Sequence, residues 1–351
     1  MNIPFREEEL NVVGRSRFKD SFVPSFDTPC SKKEGGRALL AKKPIWQLTF
    51  ADTRCFTPRV IPDSVARAFV HDAGAPLPPI GGKDMFGVEW KDIEVAEGSM
   101  VIPGTPLLEN ANDWPERIPF PDLDSWDWEQ DLEANRAYIA GGFTNLVLMN
   151  GWFERLISFM DFGGAAIALI DEEQKEAVKA LLDRITDVYI EIYDRLIALY
   201  PEIDWVIVHD DWGSQRAPLF SPATAMEMFV PPMKKFTDHV HACGRVCEIH
   251  SCGRNEKLIE AYVAAGWDLW NPQLMNDTEA LYEAWGDKIT LAVAAPEMPE
   301  DATEEELREA ARRYAEKFCD PDKPSTLNHY SVLPEPFYEE LYRQSRLRYG
   351  K

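Results

Sequence analysis

"RVCEIHSCGRNEKLIEAYVAAGWDLWNPQ", residues 245–273, decides the fold. "RVCEIHSCG" reads as a strand, "NEKLIEAYVAAG" as a helix and "WDLWNPQ" as a second strand. In a strand alternate side chains share a face, so His250 and Cys252 project the same way, roughly 6–7 Å apart along it. Two ligand types favoured by soft metals then stand on one side of a strand end, an arrangement that suits one ion.

The same texture extends on both sides. Upstream come "DLEANRAYIAGG" (helix), "FTNLVLMNG" (strand), the long amphipathic helix "DEEQKEAVKALLDRITDVYIEIYDRLIALY", the strand "DWVIVHDDWG" and a helical stretch with a Pro-Pro break, "SPATAMEMFVPPMKKFTDHVHACG". Downstream, the helices "DTEALYEAWGD" and "TEEELREAARRYAEKFC" alternate with the strands "KITLAVA" and "STLNHYS". Strands alternating with amphipathic helices predict an α/β protein with a parallel sheet, closed as a (β/α)8 TIM-type barrel. Polar residues gather at the strand ends in "VIVHDDW", "EIHSCG", "LWNPQ" and "TLNHYS", the face on which barrels of this type build their active sites.

Residues 1–44 read as a polar, turn-rich N-terminal extension, followed by "PIWQLTF" (44–50) as the first strand candidate. Residues 72–130, rich in Pro, Trp and Gly, read as an irregular cap beside the barrel mouth. The expected organisation is a single domain over 1–351.

The chain has 351 residues, 45% of them hydrophobic, and a net charge of −23. That is enough apolar material for a large core, and a charge that repels nucleic acid and anionic membranes. The polar start, "MNIPFREEELNVVGRSRFKD", has no apolar segment of a signal peptide, and no long apolar span follows, so a cytoplasmic location is expected. Six cysteines in a chain of this length are too sparse for a disulfide scaffold and stay available as thiols or metal ligands.

The strand-end "HSCG", the following "LIEAYVAAGWDLWNPQ" and the late "LNHYSVLP" resemble the uroporphyrinogen decarboxylase superfamily, and within it the corrinoid-dependent methyltransferase branch, over about residues 140–340. The resemblance implies a (β/α)8 barrel with zinc on a His-x-Cys pair and a third, distant Cys, whose place in this chain is held by a His, an exchange that keeps a zinc ligand but makes the site less anionic. Carried onto this sequence, the pair is His250 and Cys252, and the third ligand falls at His329 in "LNHYSVLP", with Cys319, at the end of a helix, as runner-up. It also implies methyl exchange between a small thiol or methylated compound and a cobalamin carried on a separate corrinoid protein, since no DxHxxG cobalamin motif is present in the chain. The Arg-rich N-terminal motif of the decarboxylases themselves is not found; "KKEGGRALLAKKPIW" stands there instead.

Glu248 shares the face of His250 and Cys252, one step deeper; it is placed with Asp211 among the catalytic candidates, and an internal salt bridge accounts for it equally well. His209, Asp210 and Gln273 are assigned to the substrate, with helix capping as the competing role for one of the paired aspartates. Two alternatives to methyl transfer stand beside it: a metal-independent decarboxylase-like lyase, and a non-catalytic partner of a corrinoid protein.

Overall fold

The structure, a computed structural model, describes residues 3–18, 21–93 and 98–350. Two compact units divide the chain: a larger one of Cys55–Ala140 and Thr144–Trp267, and a smaller one of Met1–Arg54, Gly141–Phe143 and Asp268–Lys351.

In the larger unit β1 (Arg54–Phe56), β2 (Thr144–Leu148), β3 (Trp205–His209) and β4 (Val246–His250) lie side by side in that order. β2, β3 and β4 run parallel, with Leu148 opposite Val208 and His209 opposite His250. All five residues of β2 are buried. A strand covered on both faces needs a continuous apolar run rather than alternation, and "LVL" in β2 and "WVIV" in β3 are such runs.

α1 (Trp128–Ile139) leads into β2; α2 (Trp152–Ala168) and α3 (Lys175–Leu199) return from β2 to β3; α4 (Val230–Ala242) joins β3 to β4; and α5 (Ile259–Ala264) follows β4. α3 buries Val178, Leu181, Leu182, Ile185, Val188, Ile192 and Leu196, a stripe at helical spacing. Each such side chain contributes ~1.5–3 kcal/mol relative to exposure. The Pro-Pro break falls at a junction. One π-helical turn, Ala225–Phe229, ends there, and Pro231 and Pro232 lie in the first turn of α4, where backbone N–H groups have no helical partner to lose.

In the smaller unit β5 (Leu269–Trp270), β6 (Thr290–Val293) and β7 (Thr326–Leu327) are parallel, with Trp270 opposite Leu291 and Val293 opposite Leu327. They alternate with α6 (Thr278–Trp285), α7 (Glu304–Phe318) and α8 (Glu335–Tyr349). The N-terminal extension is more ordered than its composition suggests. Val12–Phe18 and Ser21–Phe26 pair antiparallel, and the helix Lys32–Leu40 opens on a capping box of Ser31 with Glu34. "PIWQLTF" is not a strand. Its residues Ile45 to Leu48 are buried as irregular chain, and Leu327 N donates to Leu48 O at 3.0 Å. Both units therefore alternate parallel strands with helices, the α/β class the sequence predicts.

Residues 72–130 contain a small antiparallel sheet of Gly82–Lys83, Glu89–Ile93 and Gly98–Val101 that composition does not reveal. Part of the region packs on α2, the helix that leaves the C-terminal end of β2. Arg155 Nη1 donates to Asp84 at 2.6 Å, Gly104 N to Asp161 at 2.9 Å and Leu108 N to Phe159 O at 2.8 Å. Another part lies at the far end of α3, where Arg195 donates to Leu123 O and to Asp124. Among the described residues no helix is long and apolar enough to cross a membrane.

Candidate metal centre

β3 and β4 end together. Their register sets His209 beside His250, with rings stacked at 4.8 Å between centroids and 30° between planes. Beyond the strand ends the two loops are laced to each other. Asp210 N donates to His250 O at 2.9 Å, Trp212 N to Ser251 Oγ at 2.9 Å, Cys252 N to Asp211 Oδ1 at 2.7 Å and Arg254 N to Ser214 O at 2.8 Å. The loops cross backbone to backbone at Gly213 and Gly253. Gly253 has φ +85°, and a Cβ there would stand 2.2 Å from the carbonyl carbon of Gly213. Gly253→Ala is therefore expected to cost at least ~1–3 kcal/mol in backbone strain, with the overlap added. Urea unfolding reads this, and a variant as stable as the parent would contradict the crossing.

This lacing gathers four donors. The side chains of His209, Asp211, His250 and Cys252 offer ligand atoms that all lie within 4.8 Å of one another. Cys252 Sγ is 3.5 Å from His250 Nε2, and His209 Nε2 is 3.7 Å from Asp211 Oδ1. Two ligands bound at ~2.0–2.3 Å to one tetrahedral ion stand ~3.3–3.8 Å apart, so both separations fit a shared zinc. The Sγ–Nε2 distance is about half the spacing expected along a continuous strand, because β4 ends at His250 and Cys252 lies in the turn beyond it.

His209 is held from behind. Its Nδ1 meets Glu154 Oε2 at 2.7 Å, and Arg67 Nη1 reaches Glu154 Oε1 at 2.6 Å and Asn150 Oδ1 at 2.9 Å. The Arg67 guanidinium in turn lies 4.9 Å from the Trp90 ring centroid, which ties the small antiparallel sheet to the site. A metal-binding imidazole commonly has its remote nitrogen on a carboxylate that fixes tautomer and ring orientation, and the Glu154–His209 pair has that form. Burial disfavours charge on both partners. For Glu154, Arg67 and His209 overcome it and bring the pKa down to about 2. For His209, Glu154 and Asp211 overcome it and hold the imidazole well above its ordinary value. The Cys252 thiol is pushed up, by burial first and then by Asp211. Without a metal the site therefore holds protons that ligation must displace.

The other expected site residues stand in different surroundings. Asp210 is fully buried and caps α2, accepting from the N–H groups of Trp152, Phe153 and Glu154 and from Trp212 Nε1. Burial, with Glu154 nearby, raises its pKa to about 7. Glu248 is buried in β4, and burial raises its pKa to about 8. Gln273 and His329 belong to the smaller unit. Gln273 follows β5 and accepts from Asn276 Nδ2 through its backbone O at 2.9 Å. His329 follows β7 with its ring 5.8 Å from Phe50, and burial lowers its pKa to about 4. Cys319 caps the C-terminus of α7, with Sγ 3.3 Å from Gln47 Oε1. Glu154 and Arg67 were missed by sequence reasoning. The signal available was a Glu in the first turn of the helix after "LVLMNG".

Residues 162–328 match the uroporphyrinogen decarboxylase (URO-D) family, which bears out the superfamily resemblance over the stretch that includes "HSCG" and "LIEAYVAAGWDLWNPQ"; the match ends at Asn328, one residue before His329. No curated protein matches the chain. Among solved structures, a methyltransferase from Methanosarcina mazei superposes with a TM-score of 0.59 and 13% identity, over 90% of this chain and 98% of its own. At that identity the likeness is one of fold, and it bears out the barrel-type α/β class. The IOLI protein, solved with a binding zinc atom, aligns at 12% identity over 65% of this chain and 81% of its own, with a TM-score of 0.29 that is too low to argue from.

Proposed function

We propose that this chain, matched over residues 162–328 to the URO-D family, is a zinc-dependent methyltransferase exchanging a methyl group between a small thiol or methylated compound and a separate corrinoid protein. In this reading it works as one URO-D-like domain in the cytoplasm, with 1–44 as extension and 72–130 as cap. The observation that carries it is the gathering of His209, Asp211, His250 and Cys252 at the C-terminal ends of two adjacent parallel strands. That face is where barrel enzymes place their chemistry.

His250 and Cys252 would hold the zinc. When bound, zinc supplies a Lewis acid that lowers the pKa of a thiol or polarises an ether oxygen, while cobalamin on the partner gives or accepts the methyl group. The chain's own residues prepare that position. Arg67 fixes Glu154, and Glu154 accepts a hydrogen bond from Nδ1–H of His209 and turns Nε2 toward Asp211 and Cys252. Asp211 is the more open of the two groups facing each other there, its side chain 30% exposed against 15% for His209. It is the carboxylate placed to take a proton from an arriving substrate. Glu248, buried deeper in β4 beside the Trp205 side chain, would support the strand beneath the pair rather than touch the substrate.

The test uses the full-length protein, assayed for metal and for methyl transfer between methylcobalamin and a thiol, followed by cobalamin absorbance. About one Zn²⁺ per chain and zinc-dependent transfer are expected. Full methyl transfer without metal would end the zinc reading, and a protein that purifies without stoichiometric zinc and transfers no methyl group would favour the metal-independent lyase. For the third ligand there are two candidates, His209 beside the pair and His329 on the smaller unit. Loss of zinc in only one of His209→Ala and His329→Ala assigns the role. Cys319→Ala is expected to keep the metal in either case, because burial pushes its thiol up to about 12 and its Sγ faces Gln47.

A further inference from the structure

We propose that the C-terminal turn of α4 carries a second, surface site for a zinc-type divalent ion, formed by Asp194, His239 and Cys243. His239 and Cys243 are four residues apart, so the last turn of α4 sets them on one face, while α3 packs alongside and presents Asp194. His239 Nε2 is 2.6 Å from Asp194 Oδ1 and 3.9 Å from Cys243 Sγ, and the three donor atoms lie within 4.8 Å of one another. The Tyr193 ring meets the imidazole edge-on at 6.2 Å and sets its orientation.

The donor types are those zinc selects, whereas magnesium and calcium require oxygen. The Sγ–Nε2 separation is close to the ~3.3–3.8 Å expected between two ligands of one tetrahedral ion; the Nε2–Oδ1 pair must open by ~0.7 Å. Asp194 has room to do so, since its side chain is 49% exposed. Cys243 caps α4, so the ion would sit at the end of the helix where unpaired carbonyls favour a cation. Ligation breaks the S–H bond of Cys243 and the Nε2–H bond of His239 and forms S–metal and N–metal bonds. The thiol proton leaves to solvent; the Nε2 proton leaves with it from a protonated ring and shifts to Nδ1 in a neutral one. The three protein donors leave the fourth position to water. A plain surface ion pair with a bystander thiol is the alternative, and it predicts no effect of metal on Cys243.

The test adds Zn²⁺ alone to the full-length protein and maps iodoacetamide alkylation of each cysteine by peptide mass. Zn²⁺ is expected to slow alkylation of Cys243 by ~10-fold or more, because ligation removes the free thiolate. His239→Ala should abolish that protection while leaving Cys252 protected. With Co²⁺, the thiolate charge-transfer absorption assigned to this site should vanish in Cys243→Ser and persist in Cys252→Ser. An unchanged Cys243 alkylation rate with Zn²⁺, or protection that survives in His239→Ala, would overturn the proposal. Failure of the strand-end centre appears separately, as loss of protection at Cys252 alone.

Discussion

If the strand-end pair holds zinc as proposed, Cys252→Ala in the full-length protein is expected to lose that zinc and to lower methyl transfer by ~10³-fold or more, about 4 kcal/mol at the usual cost per decade. Removing a residue that merely orients a ligand weakens metal binding ~10–100-fold, and removing the ligand itself should cost more. Little stability should go with it. Cys252 lies in the turn beyond β4, and the backbone bonds that lace that turn, from Cys252 N to Asp211 and from Arg254 N to Ser214 O, do not use its sulfur. Circular dichroism and urea unfolding close to the parent, together with lost metal and lost transfer, would fit a ligand. Retained metal with lost transfer would instead make Cys252 a substrate contact, and retained transfer would remove it from the chemistry altogether.

The pair His250 and Cys252 was legible because its information is local. A strand, a polar end and a glycine follow one another in nine residues of sequence, "RVCEIHSCG". The glycine's reason was not legible: it depends on Gly213 of the preceding strand–loop unit, against which Gly253 crosses. His209 and Asp211 were visible as a strand end, but their approach to the pair depends on the β3–β4 register, which parallel strands joined by a long helical return do not disclose. Glu154 and Arg67 were harder still. Their contact spans 87 residues, and that of Glu154 with His209 spans 55, so no periodic pattern connects them. "PIWQLTF" misled for the opposite reason. An apolar run bounded by turn residues fits a strand and a buried irregular segment equally well, and only the neighbouring chain separates the two.

The support behind the site rests on one buried charge cluster. Arg155 is fully buried and donates to Asp63 and to Asp84, both also buried. Asp63 further accepts from Met85 N at 3.1 Å and from Asn150 Nδ2, and Asp84 accepts from Phe86 N, Val88 N and Trp90 Nε1. The cluster thereby joins the segment around 63–90 to α2, one residue from Glu154. Arg155→Met keeps most of the volume but leaves two carboxylates buried without their cation. Such a loss costs ~3–5 kcal/mol, far more than a surface pair would. The pH dependence has a definite sign. Burial already raises the pKa of Asp63, against the pull of Arg155. Without the guanidinium it must rise further, so the folded variant gains stability as acid protonates it, and the gap from the parent narrows as pH falls. Urea unfolding at neutral and mildly acid pH measures both effects. A gap below ~1 kcal/mol, or one that widens on acidification, would mean that water or rearranged donors already satisfy these carboxylates. The consequence reaches the candidate metal centre through Asn150, which donates to Asp63 and accepts from Arg67, the residue that holds Glu154 against His209. Arg155→Met should therefore also weaken zinc binding while every ligand stays in place.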